Sequence, residues 1–151
     1  MQEHLSVVRE AILTKYNPWI TRTFDLTAEQ FLTWVMDGLR QGYMKILYFP
    51  EYKVFYLMIR DEHQPDVAEV HCWSMTDKPY AIPKTLQKLK EWFIKNNEFR
   101  RLETQIIIPT FMKLVERYGW TKEGVKRKAY VADNGAYLDC NIYGMLKEDF
   151  E

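Results

Sequence analysis

The chain has 151 residues, 47% hydrophobic and 15% aromatic, enough to build one domain spanning 1–151 around a single core. Its 21 basic and 21 acidic residues cancel, so it lacks the basic excess of a general nucleic-acid or membrane-surface binder. Cys72 and Cys140 have no metal-ligand spacing; both are expected to be reduced and buried in strands, with no metal site.

Met1 to His4 opens no basic segment followed by an apolar run, and every apolar stretch is far shorter than a membrane span. The expectation is a cytoplasmic protein without a membrane partner. Leu5, Val8, Ala11 and Ile12 recur at helical spacing, which predicts a short amphipathic helix over 5–16. Asn17 and Pro18 end it, because the residue before a proline avoids helical dihedrals. Thr27 and Gln30 have capping-box spacing. Phe31, Trp34, Val35 and Leu39 then predict a helix over 28–40, with Gly42 as its stop.

Two runs of aromatic and branched residues, 43–49 and 53–59, predict antiparallel strands about a turn at Pro50 and Glu51. A third strand is predicted over 67–74. Alternation places Glu69, His71 and Trp73 on one face of it, and Ala68, Val70, Cys72 and Ser74 on the other. The loop 76–83 leads to a helix over 84–97, with Leu86, Leu89 and Phe93 on one face and lysines around the rest. Those lysines are interrupted by Glu91 and Glu98, as expected of a solvated face, so nucleic-acid binding is not expected. A strand over 104–108 has a continuous apolar end, as near the centre of a sheet. Pro109 opens a helix that ends at Gly119. Strands over 125–132 and 136–146 flank the hairpin signal Asn134-Gly135. The result is an α/β (α+β) chain with a mixed central sheet flanked by helices on both faces.

Particular residues near the C-terminal end carry physical expectations of their own. Gly119 can adopt the positive φ that closes a helix, which drops Trp120 into the core. Gly124 and Gly135 are expected in turns, and Asp139 and Arg127 as a cross-strand ion pair.

The run Lys113-Leu-Val-Glu-Arg-Tyr-Gly-Trp120, followed by Glu123-Gly124, Arg127, Asn134-Gly135, Asp139 and Tyr143-Gly-Met-Leu146, resembles the C-terminal end of GNAT-type N-acetyltransferases. It is most similar to the ribosomal-protein and small-substrate branch, with Trp120 standing where that family has phenylalanine. The detailed resemblance covers about 40 residues; over the rest only element order agrees. It implies the GNAT fold and acetyl transfer from acetyl-CoA to an amine.

The family's diphosphate-binding loop places small residues at a helix N-terminus so that backbone N–H groups reach the phosphates. The corresponding segment here is 78–83. Lys78 stands for the first basic residue, Ala81 for the first glycine and Pro83, which has no N–H, for the last small residue. Lys78, Tyr80, Ala81, Ile82 and Lys84 are therefore the implied acetyl-CoA contacts. The family's helical asparagine and its proton-donating tyrosine fall at Ile108 and Val115, where neither side chain can do the work; Tyr118, three residues on, is the substitute acid. Glu69 and His71 are the candidate general bases on the third strand, against a plain reading as a cross-strand polar pair. Cys72 has no evident base partner and is not read as a nucleophile. These departures leave two readings open: an acetyltransferase acting on an amine, or a catalytically inactive GNAT-fold module that binds a protein partner. Small degenerate proteins of the second kind resemble phage-encoded and virion-associated ones, which would place the chain in host cytoplasm or a virion.

Overall fold

The structure, a computed structural model, describes residues 2–15 and 25–151. Helix α1 (Gln2–Glu10) runs into a π-type turn over Ala11–Lys15. Its apolar stripe is buried, Val8, Ala11 and Ile12 all being inaccessible to solvent. The terminator expected at Asn17 and Pro18 lies outside the described residues. Helix α2 (Ala28–Gln41) forms as its sequence dictates. The Thr27 hydroxyl accepts from the Gln30 main-chain N–H at 3.1 Å and the Gln30 side-chain Oε1 accepts from Thr27 N–H at 2.9 Å. Gly42, at φ 85°, ends it with an N–H bond to Gly38 C=O.

Strands β1 (Met44–Phe49), β2 (Val54–Arg60) and β3 (Val67–Ser74) form an antiparallel meander. Helix α3 (Ala81–Lys95) then crosses to β4 (Arg101–Ile106), which pairs with β3 in parallel. Helix α4 (Pro109–Arg117) leads to the hairpin of β5 (Thr121–Val131) and β6 (Tyr137–Leu146), closed by a 3-10 turn over Lys147–Phe150. The six strands lie in the order β1-β2-β3-β4-β6-β5. One face carries α3 and α4 over Tyr56, Met58, Val70, Leu102 and Tyr143; the other carries α1 and α2 over Phe55, Leu57 and Trp73.

Three boundaries differ from the sequence reading, each for a physical reason. Helix α3 starts three residues before the expected 84, because a proline at the third helical position removes an N–H that has no intrahelical partner there. Strand β4 is shifted towards the N-terminus: Arg101, Glu103 and Gln105 alternate with Leu102 and Ile106, and the apolar run 106–108 is the exit towards the N-cap Ile108. Gly124 is not in a turn but inside β5, where the register with β6 shifts. A second shift between Lys126 and Tyr130 puts Lys128 at φ 49° and aims its N–H at Asp139 Oδ1, 2.9 Å away. Asp139 therefore caps a bulge and does not pair with Arg127. Gly135, at φ 82°, does supply the hairpin turn, and Gly119, at φ 97°, does turn Trp120 into the core.

Candidate active site

The parallel ladder between β3 and β4 holds for only three residue pairs, ending at Glu69 and Glu103. Beyond it the Thr104 hydroxyl donates to Val70 C=O at 2.9 Å, and then the two strands cease to pair. Residues of both strands, with α3 and α4, line a cleft of about 330 Å³. Its walls are mainly apolar: Ile82, Leu86 and Leu89 from α3, Ile106, Phe111 and Val115 from β4 and α4, and Trp120.

The polar groups at this opening come from the strands. Val70 C=O points to the β4 side, so by alternation the main-chain groups of Cys72, two residues on, point there too, beyond the reach of the ladder. A strand edge left open between two apolar walls can accept a chain of amides, as an added strand would. Tyr56 reaches the cleft from β2. Its hydroxyl lies 2.8 Å from Thr85 Oγ1, which donates to Ile82 C=O at 3.1 Å; Tyr56 is therefore the donor of the pair. This buried relay ties the first turn of α3 to the sheet. Burial raises the Tyr56 hydroxyl well above its ordinary value and pushes the half-buried Cys72 thiol up to about 12. Cys72 is therefore a thiol at neutral pH and no nucleophile. Cys140 is free and buried as expected, its thiol donating to Gln105 Oε1 at 2.9 Å.

Glu69 and His71 stand on the other face of β3, the one that carries Trp73. His71 Nε2 is 3.7 Å from Glu69 Oε1. The imidazole, with Lys126 beyond it, holds the Glu69 carboxyl below its usual range against the opposing pull of burial. Glu69 is half-exposed, whereas the His71 side chain is nearly covered and His71 also lines the cleft. The opening between the strands thus has an apolar approach from the α3 and α4 side and a carboxylate with an imidazole on the opposite face.

At the N-terminus of α3 the backbone donors are few. Ala81 N–H bonds to Lys78 C=O at 3.2 Å and Lys84 N–H to Tyr80 C=O at 3.1 Å, while Pro83 has none. Ile82 N–H is the one first-turn donor left over. Lys78 and Lys84 are exposed, and Lys78 Nζ lies 5.9 Å from the centre of the Tyr80 ring. Tyr80 meets Tyr52 edge-on at 6.4 Å and, with Lys78 and Ala81, borders a small polar hollow of about 80 Å³. The expected contacts Lys78, Tyr80, Ala81, Ile82 and Lys84 are therefore together at one helix end, but only Ile82 lines the main cleft. Its apolar lining suits a pantetheine arm, and the adjoining N-terminus of α3, outside the cleft lining except for Ile82, would offer a diphosphate two exposed lysines and one N–H in place of a full amide cradle.

Ile108 and Val115 both line the cleft, and neither brings a polar side chain. Tyr118 caps α4 and packs half-buried against the core; it is not among the residues lining the cleft. Sequence reasoning missed Tyr56, Thr104, Gln105 and Trp120 as lining residues. Alternation could have found Gln105 on the Glu69 face, but the Tyr56 relay depends on a residue 29 positions away. Among the described residues no group of acidic, histidine or cysteine side chains could hold a metal, and no helix is long and apolar enough to cross a membrane.

No family model matches the sequence, and no curated relative does. Solved structures are similar over nearly the whole chain. A chimera of Vibrio cholerae spermidine N-acetyltransferase SpeG and hSSAT superimposes with a TM-score of 0.72 at 11% identity, covering 98% of this chain and 92% of that one. RimL, a ribosomal L7/L12 alpha-N-protein acetyltransferase in complex with coenzyme A, gives 0.69 at 17% identity, covering 99% and 92%. The microcin C7 self-immunity acetyltransferase MccE, in complex with acetyl-CoA and AMP, gives 0.64 at 19% identity, covering 97% and 88%. With an acetyltransferase of the GNAT family from Streptococcus pneumoniae also at 0.65, these likenesses show that the chain has the GNAT N-acetyltransferase fold.

Proposed function

We propose that the protein is an acetyl-CoA-dependent N-acetyltransferase acting on an amine, at home in the cytoplasm. The observation that carries this reading is the unpaired opening between β3 and β4, with an apolar cleft on one side and Glu69 and His71 on the other. The neighbours support it: they include spermidine and ribosomal-protein acetyltransferases and complexes with coenzyme A or acetyl-CoA.

Acetyl-CoA would supply an activated acyl group as a thioester. In the net reaction the amine nitrogen bonds to the acyl carbon, the carbon–sulfur bond breaks, the amine loses a proton and the thiolate gains one. Cys72 main-chain groups and the apolar walls orient the arm and exclude water from it. Lys78, Lys84 and the Ile82 N–H meet the diphosphate, with Tyr80 and Ala81 beside them. Glu69 takes the amine proton, directly or through a water, and His71 holds the carboxylate in its ionised form. No side chain of α4 that lines the cleft can protonate the thiolate, so water does this, or Tyr118 if its ring swings from its packed position. A slow enzyme follows from that deficit. The amine is a polyamine or a peptide N-terminus, presented from the α1 and α2 side.

The test is release of free thiol from acetyl-CoA over a panel of polyamines and N-terminal peptides, with mass spectrometry of the products. Acetylation of at least one amine class, slowed about 10²-fold in Glu69→Gln, is expected. A panel without any acetylated product, at protein concentrations where acetyl-CoA binds, would overturn the catalytic reading in favour of a binding module.

A further inference from the structure

Trp120 lines the cleft yet is only 4% exposed, and its indole Nε1 is buried with no hydrogen-bond partner. Its position is firmly set. Gly119, at φ 97°, reverses the chain after α4, and Trp120 N–H donates to Val115 C=O at 3.2 Å. Polar side chains also line the cleft, Tyr56, Thr104 and Gln105 among them, but none bonds the indole, and the apolar walls of Leu86, Leu89, Ile106, Phe111 and Val115 offer it no side-chain acceptor. A donor buried among such groups loses its water and gains nothing in return. Phenylalanine would fill an apolar site without that penalty. Tryptophan here is explained if something that enters the cleft accepts from it.

We propose that Trp120 Nε1 is a ligand-binding donor, and that the molecule seated in the cleft sets an uncharged carbonyl, an amide or a thioester, against it. The indole selects for an acceptor on the ligand, in addition to the main-chain groups of β3 and the apolar walls that receive its arm. This rests on the acyl-CoA reading above, since the arm of coenzyme A carries amide carbonyls along its length, but it concerns a contact made by this chain's own tryptophan.

The experiment is a proton–nitrogen NMR titration of the full chain with acetyl-CoA, following its five tryptophan indole signals, alongside calorimetry. Trp120→Phe removes one signal and so assigns it; if that variant does not fold, triple-resonance assignment of the wild type identifies it. Expected are a downfield move and slowed solvent exchange of the Trp120 indole proton on saturation, and about 3- to 10-fold weaker acetyl-CoA binding in Trp120→Phe. Acetyl-CoA binding with the Trp120 signal unmoved, or with undiminished affinity in Trp120→Phe, overturns the proposal and leaves the acyl-CoA reading standing. No binding to the wild type at all overturns that reading and this contact with it.

Discussion

Replacing Glu69 by glutamine removes one proton acceptor and almost no volume, so it isolates the chemical role of the carboxylate. Loss of a general base typically costs about 10²- to 10⁴-fold in rate. The geometry puts this case at the low end. His71, 3.7 Å away, holds the carboxyl below its usual range, which ensures ionisation at neutral pH but weakens it as a base. A fall of about 10²-fold in kcat is therefore expected, about 2.7 kcal/mol of barrier. The KM for acetyl-CoA should hold, because Glu69 lies on the face opposite α3 and α4. Proton linkage gives a second arm that needs no substrate. A carboxyl with a lowered folded-state value stabilises the fold above its unfolded value of about 4.3, and that contribution is lost as pH falls through the lower folded value. Since the Glu69 side chain is 38% exposed, screening keeps the contribution below about 1 kcal/mol. Urea unfolding of wild type and Glu69→Gln should therefore differ slightly at pH 7 and converge towards pH 3. A kcat within threefold of wild type would refute the assignment of Glu69 as base; a stability gap that widens in acid would refute the account of its environment.

Pro83→Ala restores an N–H to the first turn of α3, beside Ile82. Acetyl-CoA affinity should rise about 3- to 10-fold by calorimetry, and an unchanged affinity would mean that the diphosphate does not meet this helix end. Tyr56→Phe breaks the relay to Thr85 and Ile82 and leaves the buried Thr85 hydroxyl with one partner fewer. A loss of about 1–2 kcal/mol in chemical denaturation is expected, with weaker acetyl-CoA binding as the α3 N-terminus loosens. Gly119→Ala puts a Cβ at φ 97° and 3.0 Å from Phe150 Cζ; a cost of about 1–2 kcal/mol should appear in thermal unfolding as a lowered Tm.

What could be read from the residues alone was whatever local chemistry decides. Thr27 and Gln30 specify a helix start by hydrogen bonds three residues apart, and Gly42, Gly119 and Gly135 specify positive φ. The alternation along β3 correctly separated Glu69 and His71 from Val70 and Cys72. The misplaced elements were those in which a long-range partner overrides the local pattern. Polar Arg101 and Glu103 extend β4 because β6 pairs with them, and Gly124 stays within β5 because the bulge there absorbs it. The same holds for Asp139, whose carboxylate goes to the Lys128 N–H that the bulge exposes. The site was legible only as a list of residues. Its organising feature, the end of pairing between β3 and β4 after Glu69, is a relation between two strands more than 30 residues apart, and so is the burial of the Trp120 indole against the cleft.

The measurement that bears most directly on the central claim is calorimetric titration of acetyl-CoA into the purified protein, with Lys78→Ala as the control. Binding in the micromolar range is expected, weakened in Lys78→Ala because one of the two lysines beside the N-terminus of α3 is gone. No heat at millimolar acetyl-CoA, with the protein folded, would contradict it.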